Sequence, residues 1–267
     1  MSQKTQNHHR GEPFPREAFE AVCFHAIGLI DQNREYLQMH LADADANTRQ
    51  ALKDVELETA RLDRTLGEMM DLLAQNEPAP PPRWLDLCSV VQQVELLKED
   101  VFAQLGVRLA VEYAVERCPV RCDPDAAEQL CFHLLSNALR ATAPGGTVTL
   151  TLRESGTGWV LLVEDEGCGL PDPEAGRWLE NRRRFLGGAG AGLILCRAIC
   201  ETAGWTLTVQ DRPGKGVEAR VEIPAGPQDA VDHLVELHAS GQEAISRFGW
   251  QLGRELRLLS AGIKVKK

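Results

Sequence analysis

The chain has 267 residues, 43% of them apolar and 25% charged, with a formal net charge of −10. This is long enough for one or two domains with a sizeable core, and an acidic balance with a pI near 5.3 argues against a nucleic-acid binder, whose footprint is basic. No apolar run reaches the roughly 18 residues of a membrane-spanning helix, and the polar start MSQKTQNHHRGEP is unlike a secretory signal. The expectation is a cytoplasmic protein with no membrane span and no nucleic-acid partner.

Residues 1–15 are polar with prolines at 13 and 15, and read as a disordered N-terminus. From Arg16 onward, Phe19, Val22, Ala26, Leu29, Asn33, Leu37 and Leu41 recur at three- and four-residue steps and predict a helix. After the turn ADADANT at 42–48, a second helix carries Leu52, Val55, Thr59, Leu62, Leu66, Met69 and Leu73. Residues 16–75 therefore form a helical hairpin with coiled-coil-like packing. One hairpin cannot cover such a stripe, so a homodimer with a four-helix bundle is expected. His25 lies about 60° from Val22 on the first helix, on the flank of the stripe and within reach of solvent; His40 stands near the turn.

Residues 76–83, NEPAPPPR, form a Pro-rich linker. Beyond it the pattern predicts a helix over 87–104 and a strand over 107–113. A helix opens at Asp123-Pro124, with Asp as its cap and Pro at its first position. That helix carries His133, Asn137 and Arg140, the first two on one face. Strands over 147–153 and 159–165 flank the turn SGTG, and a span at 172–186 holds Trp178 and Arg182-Arg183-Arg184. A helix over 192–203 and strands over 205–211 and 217–223 complete a two-layer α/β sandwich with a mixed sheet. Residues 227–267 read as two further helices, about 228–238 and 241–259. Ser240 and Glu243 have capping-box spacing. Ile245, Phe248, Leu252, Leu256 and Leu259 form an apolar face that needs a partner in the same chain, a dimer mate or another protein.

Three pieces carry chemistry: HLLSNALRA at 133–141, DEGCG at 165–169 and GGAGAGL at 187–193. Glycines let main-chain N–H groups approach phosphate oxygens, and a helix opening after them points its positive end at the anion. Asn137 offers the neutral oxygen that Mg²⁺ accepts beside waters and phosphates. Asp165, just after a strand, can accept a hydrogen bond from an exocyclic amine such as that of adenine. Eight cysteines, at 23, 88, 118, 122, 131, 168, 196 and 200, include no CxxC pair and read as small hydrophobes in a reducing compartment.

The order and spacing of these pieces resemble the ATP-binding domain of sensor histidine kinases, in the GHKL superfamily that also holds gyrase-type ATPases. HLLSNALRA is similar to the family's N-box, Asp165-Glu166-Gly167-Cys168-Gly169 to its G1 box and Gly188-Ala189-Gly190-Ala191-Gly192-Leu193 to its G2 box. RPGKGVEARVEIP at 212–224 is similar to its glycine turn and closing strand. The implied fold class is α+β: a dimeric helical hairpin, a two-layer ATP-binding sandwich of the Bergerat type over 84–226, and a C-terminal helical extension over 227–267.

The resemblance implies ATP and Mg²⁺, with Asn137 as the metal ligand. Arg140, Asp165, Gly167, Gly169, Gly188, Gly190, Gly192 and Leu193 would join it in holding the nucleotide. It implies autophosphorylation of His25 and transfer to an aspartate on a response regulator receiver domain; a separate sensor or partner would reach the chain through the C-terminal helices. His133 stands where the family usually has Asn, and span 172–186 corresponds to its ATP lid. The family also places an acidic residue directly after the phosphoacceptor, where this chain has Ala26. That departure keeps a second reading open, a degenerate nucleotide-binding relative acting as adaptor or phosphotransfer scaffold. A third is a serine kinase of the anti-sigma-factor type, which explains the hairpin poorly.

Overall fold

The computed structural model describes residues 16–41, 44–74, 80–96, 102–156, 158–170 and 191–234. Two helices, α1 (Arg16–His40) and α2 (Ala46–Ala74), pack antiparallel as the hairpin. Asp45 starts α2: its Oδ1 accepts the Thr48 N–H at 2.8 Å. That bond, the largest influence on the group, holds the carboxyl below the ordinary aspartate value.

The apolar stripe lies elsewhere than the hairpin's own seam. Val22 is 68% exposed and Leu62 54%, and Phe19, Leu29, Leu37, Leu41, Val55, Met69 and Leu73 are exposed with them. The helices instead bury Ile27 and Met70 together with Arg34, Thr59, Asp63, Arg64 and Glu68. Arg34 reaches Asp31 at 3.4 Å on its own helix and Glu56 at 3.8 Å across the hairpin, while Arg64 pairs with Glu68 at 2.7 Å. Most of the stripe is therefore the hairpin's outer face, as a stripe that one hairpin cannot cover requires, while Thr59 within it is buried and Leu52 and Leu66 are half-buried.

The second unit begins at Arg83, so the last residue of the predicted linker is already strand. β1 (Arg83–Asp86) pairs antiparallel with β3 (Pro119–Cys122) in a two-stranded sheet. α3 is described over Leu87–Leu96, and residues 97–101 of the predicted 87–104 lie outside the described residues. Phe102 and Leu105 still enter the core, but Ala103–Leu105 is a 3-10 turn closed by Gly106 in the left-handed region. β2 (Arg108–Tyr113), β4 (Thr147–Ser155), β5 (Gly158–Asp165), β6 (Thr206–Asp211) and β7 (Val217–Pro224) form a five-stranded sheet ordered β2-β4-β5-β7-β6. Only β2 and β4 run parallel in it.

α4 (Pro124–Ala141) and α5 (Ala191–Ala203) complete the second layer. Leu130, Leu134 and Leu135 of α4 and Cys196 and Ile199 of α5 share one core with Val148, Leu150, Leu152, Leu161 and Val163 of the sheet. Alternation along β4 places every second residue in that core, as a one-face-buried strand requires. α2 lies against α5, joining hairpin and sandwich. After β7, Gln228–His233 is a 3-10 turn against β1 and β3, not the start of an α-helix over 228–238. The N-terminus expected to be disordered, the span 172–186 and the helix expected at 241–259 lie outside the described residues. Among the described residues no helix is long and apolar enough to cross a membrane.

Candidate functional site

Asp165 ends β5 with its side chain buried. Its Oδ1 accepts two backbone bonds, from Gly167 at 2.7 Å and Val217 at 3.2 Å. Among the described residues Oδ2 accepts none. Burial pushes the carboxyl above the ordinary aspartate value, against the two backbone bonds that pull it down. Two glycines allow this crowding. A Cβ on Gly167 would come within 2.6 Å of both the Ala141 carbonyl oxygen and Asp165 Oδ1. One on Gly216, which has φ +91°, would come within 1.8 Å of the Asp165 carbonyl oxygen.

α4 brings up the second part. Asp123 caps it, accepting the Asp125 N–H at 3.2 Å, and Pro124 opens it. In the last turn of the helix, Arg140 donates from Nη2 to Asn137 Oδ1 and from Nε to the Ser136 carbonyl oxygen at 3.1 Å. Asn137 Nδ2 is buried without a hydrogen-bond partner. The first turn of α5 closes on the same place: a Cβ on Gly192 would stand 3.5 Å from His133 Nδ1 and 3.6 Å from Asn137 Nδ2. His133 itself is buried, edge-on to Phe132, with Nε2 turned to Asp71 of α2.

The structure thus gathers Asn137, Arg140 and Gly192, with Leu193 beside them in α5. It places Asp165, Gly167 and Gly169 on the loop that β5 feeds past Ala141, the last residue of α4. Gly188 and Gly190 lie outside the described residues. His25, on α1, is exposed to solvent and belongs to neither cluster. Sequence reasoning missed Asp71 against His133, and Asp211 and Arg212 behind the Asp165 loop. Each acts across 41 or more residues of chain, and no local pattern marks them.

Chemically, the arrangement combines an acidic acceptor, an amide, a guanidinium and a helix head, groups of the kinds that can hold a nucleotide. An acidic side chain whose Oδ2 accepts no hydrogen bond among the described residues ends β5, Gly167 and Gly169 let the loop after it pack tightly against Ala141 and Asp211, and a helix head stands next to an Asn and an Arg. Among the described residues no group of three or more His, Cys, Asp or Glu could hold a metal. A hard cation here would share its shell with phosphates and water, as Mg²⁺ commonly does.

Comparison with known proteins agrees. Residues 122–227 match the family described as histidine kinase-, DNA gyrase B- and HSP90-like ATPase. The alginate biosynthesis sensor protein KinB of Pseudomonas aeruginosa is 30% identical over 214 residues, 79% of this chain and 32% of that protein. The adaptive-response sensory kinase SasA of Synechococcus sp. (strain CC9311) is 31% identical over 150 residues, 54% of this chain and 39% of that protein. The chain thus spans about a third to two fifths of the length of these curated relatives.

Among solved structures, full-length ShkA in complex with AMPPNP superposes with a TM-score of 0.52 at 18% identity, covering 80% of this chain and 47% of that one. The histidine kinase ThkA in complex with the response regulator protein TrrA gives 0.52 at 21% identity, covering 79% and 62%. They share the fold. Residues 122–227 are a domain of this ATPase family, and the sensor histidine kinase resemblance read from the sequence holds.

Proposed function

We propose that the chain is the kinase portion of a cytoplasmic two-component system, an ATP-dependent protein histidine kinase. In this reading residues 16–75 are the phosphoacceptor and dimerisation hairpin, 76–83 the linker, 84–226 the ATP-binding domain and 227–267 an extension that docks a sensor or partner. The observation that carries it is the free Oδ2 of Asp165 at one end of a site whose other end holds Asn137, Arg140 and the head of α5. Asp165 would accept from the adenine amine, and Gly167 and Gly169 would flank the base. The α5 head and Arg140 would hold the phosphates, with Gly188, Gly190, Gly192 and Leu193 in the cradle. Mg²⁺, bound at Asn137, would neutralise phosphate charge.

The exposed imidazole of His25 would attack the γ-phosphorus through its unprotonated nitrogen as the bond to ADP breaks. Solvent would take the proton, since Ala26 supplies no base. Positioning and charge neutralisation account for most of such a reaction. The phosphoryl group would pass to an aspartate of a response regulator, the kind of partner seen with ThkA.

The test is γ-labelled ATP with Mg²⁺ on the chain beside Asn137→Ala and His25→Ala. Acid-labile label lost in both variants is expected; label persisting in His25→Ala would remove His25 as acceptor. One observation favours the adaptor reading: Arg140 already occupies the Asn137 oxygen that a metal would use. ATP binding with no label at all would decide for it.

A further inference from the structure

The turn between β6 and β7 holds the Asp165 loop at both ends. Asp211 Oδ1 accepts the N–H of Leu170 at 2.7 Å, across 41 residues of chain, at the far end of the loop. Gly169 fits beneath it with φ +80°, and a Cβ there would come within 3.0 Å of Asp211 Oδ1. The next residue, Arg212, donates from Nη1 to the carbonyl oxygen of Asp165 at 3.1 Å and lies with Nε 3.0 Å from Glu164 Oε1. Arg212 is held in turn by its own N–H on the Gly216 carbonyl oxygen at 3.0 Å. Val217, just past the turn, supplies one of the two donors on Asp165 Oδ1.

The run from Asp165 to Leu170 is therefore fixed from behind at its first and last residues by side chains that do not face the base. With both ends of the loop fixed, the Gly167 and Val217 N–H groups that hold Oδ1 keep their places, and with them the orientation of the Asp165 carboxylate. An acceptor only discriminates one base edge from another if it cannot turn to meet the wrong one, because specificity is a difference between two bound states.

We propose that Asp211 and Arg212 are positioning residues for base selection, a clamp that orients the Asp165 carboxylate toward an adenine amine and against a guanine carbonyl. The inference rests on the nucleotide reading of the site above. Neither residue touches the nucleotide in this scheme; both act through the loop. Opposite charges on adjacent residues suit such a clamp, because Arg212 offsets the second carboxylate that Asp211 brings toward Asp165.

The experiment is calorimetric titration of the full chain with Mg-ATP and Mg-GTP, using Asp211→Ala, Asp211→Asn and Arg212→Met. Asp211→Ala should weaken ATP binding by about three- to tenfold, the scale of one lost backbone hydrogen bond, and narrow the preference for ATP over GTP. Asp211→Asn keeps an oxygen acceptor and should restore both. Arg212→Met keeps the aliphatic stem, removes the donors and tests the other arm by the same ratio. A general loss of stability would weaken both nucleotides together and leave their ratio unchanged. ATP affinity and selectivity unaltered in Asp211→Ala and Arg212→Met, or Asp211→Asn no better than Asp211→Ala, would overturn the clamp while leaving the site standing. Failure of the wild-type chain to bind ATP would overturn the site and the clamp with it.

Discussion

Nε2 of His133 on α4 lies 3.5 Å from Oδ2 of Asp71 on α2, one turn from Asn137 on its own helix. This contact ties the hairpin to the helix that carries half of the candidate nucleotide site. At 3.5 Å the contact is not a hydrogen bond, and His133 Nε2 is buried without a hydrogen-bond partner, so the link is a weak one. In the proposed kinase reading the ATP site must come to His25, exposed on the other helix, and the His133–Asp71 contact holds the sandwich at its seat on α2. Asp71→Asn is expected to raise the initial rate of His25 labelling by about two- to fivefold and to leave the KM for ATP unchanged. A lower rate, or a changed KM, would mean that the contact serves the bound nucleotide instead.

The Asp165 carboxylate predicts how nucleotide binding depends on pH. Burial raises its pKa in the folded chain, so ionising it is harder there than in the unfolded chain. The fold carries a penalty for the ionised form above the raised value, and the penalty fades as pH falls to the ordinary value. Accepting from an exocyclic amine needs the ionised form. ATP affinity should therefore hold at neutral pH and fall as pH drops through a midpoint above the usual aspartate value. Asp165→Asn should abolish that step and weaken ATP by about ten- to a hundredfold, the scale of a hydrogen bond to a charged group. Titration calorimetry across roughly pH 4 to 8 checks both, and a variant that keeps the wild-type pH profile would assign the step to another group.

Much of this was legible in the sequence because it is local. Asp123-Pro124 fixes the start of α4 through a cap and a pre-set φ, and the alternation of β4 is visible residue by residue. β1 and β3 were missed because four residues, RWLD or PVRC, are too few to show a period. The end of the predicted helix over 87–104 differs because Ala103–Leu105 is a 3-10 turn, whose Leu105 continues the apolar pattern into the core. The hairpin stripe was found, and its exposure on a single hairpin agrees with the expectation that one hairpin cannot cover it. Periodicity shows that a face is apolar and is silent on what it faces, and the intrachain seam was filled by Arg34, Asp63, Arg64 and Glu68. Asp71 on His133 and Asp211 on Leu170 are pairings of the folded chain that no spacing announces.

The outward stripe carries its own expectation. Val22, Leu29, Val55, Leu62, Met69 and Leu73 on two adjacent helices are a larger apolar exposure than scattered surface residues explain, and a second hairpin is the partner a four-helix bundle would supply. Light scattering should give the mass of a dimer for the wild type. Leu62→Glu, placing a charge at a 54% exposed position, should give a folded monomer with unchanged helical circular dichroism. By contrast, Ile27→Asp enters the hairpin's own buried seam and should unfold it. A wild-type monomer, or a Leu62→Glu dimer, would count against the bundle.

The cysteines divide by exposure, and the division can be read chemically. Burial pushes the thiols of Cys88, Cys122, Cys131 and Cys200 up to about 12, and those of Cys118 and Cys196 are raised further by the same cause. At about pH 8 almost none of these six is thiolate, the form that reacts. Cys168 is exposed on the Asp165 loop between Gly167 and Gly169, and Cys23 is half-buried on α1. An aromatic disulfide reagent should modify Cys168 fast, Cys23 slowly and the other six only after unfolding. Cys168 neighbours the proposed base pocket, so saturating Mg-ATP should slow its modification and leave Cys23 unaffected, with Cys168→Ser removing the fast phase. A fast phase indifferent to ATP would place the nucleotide away from this loop.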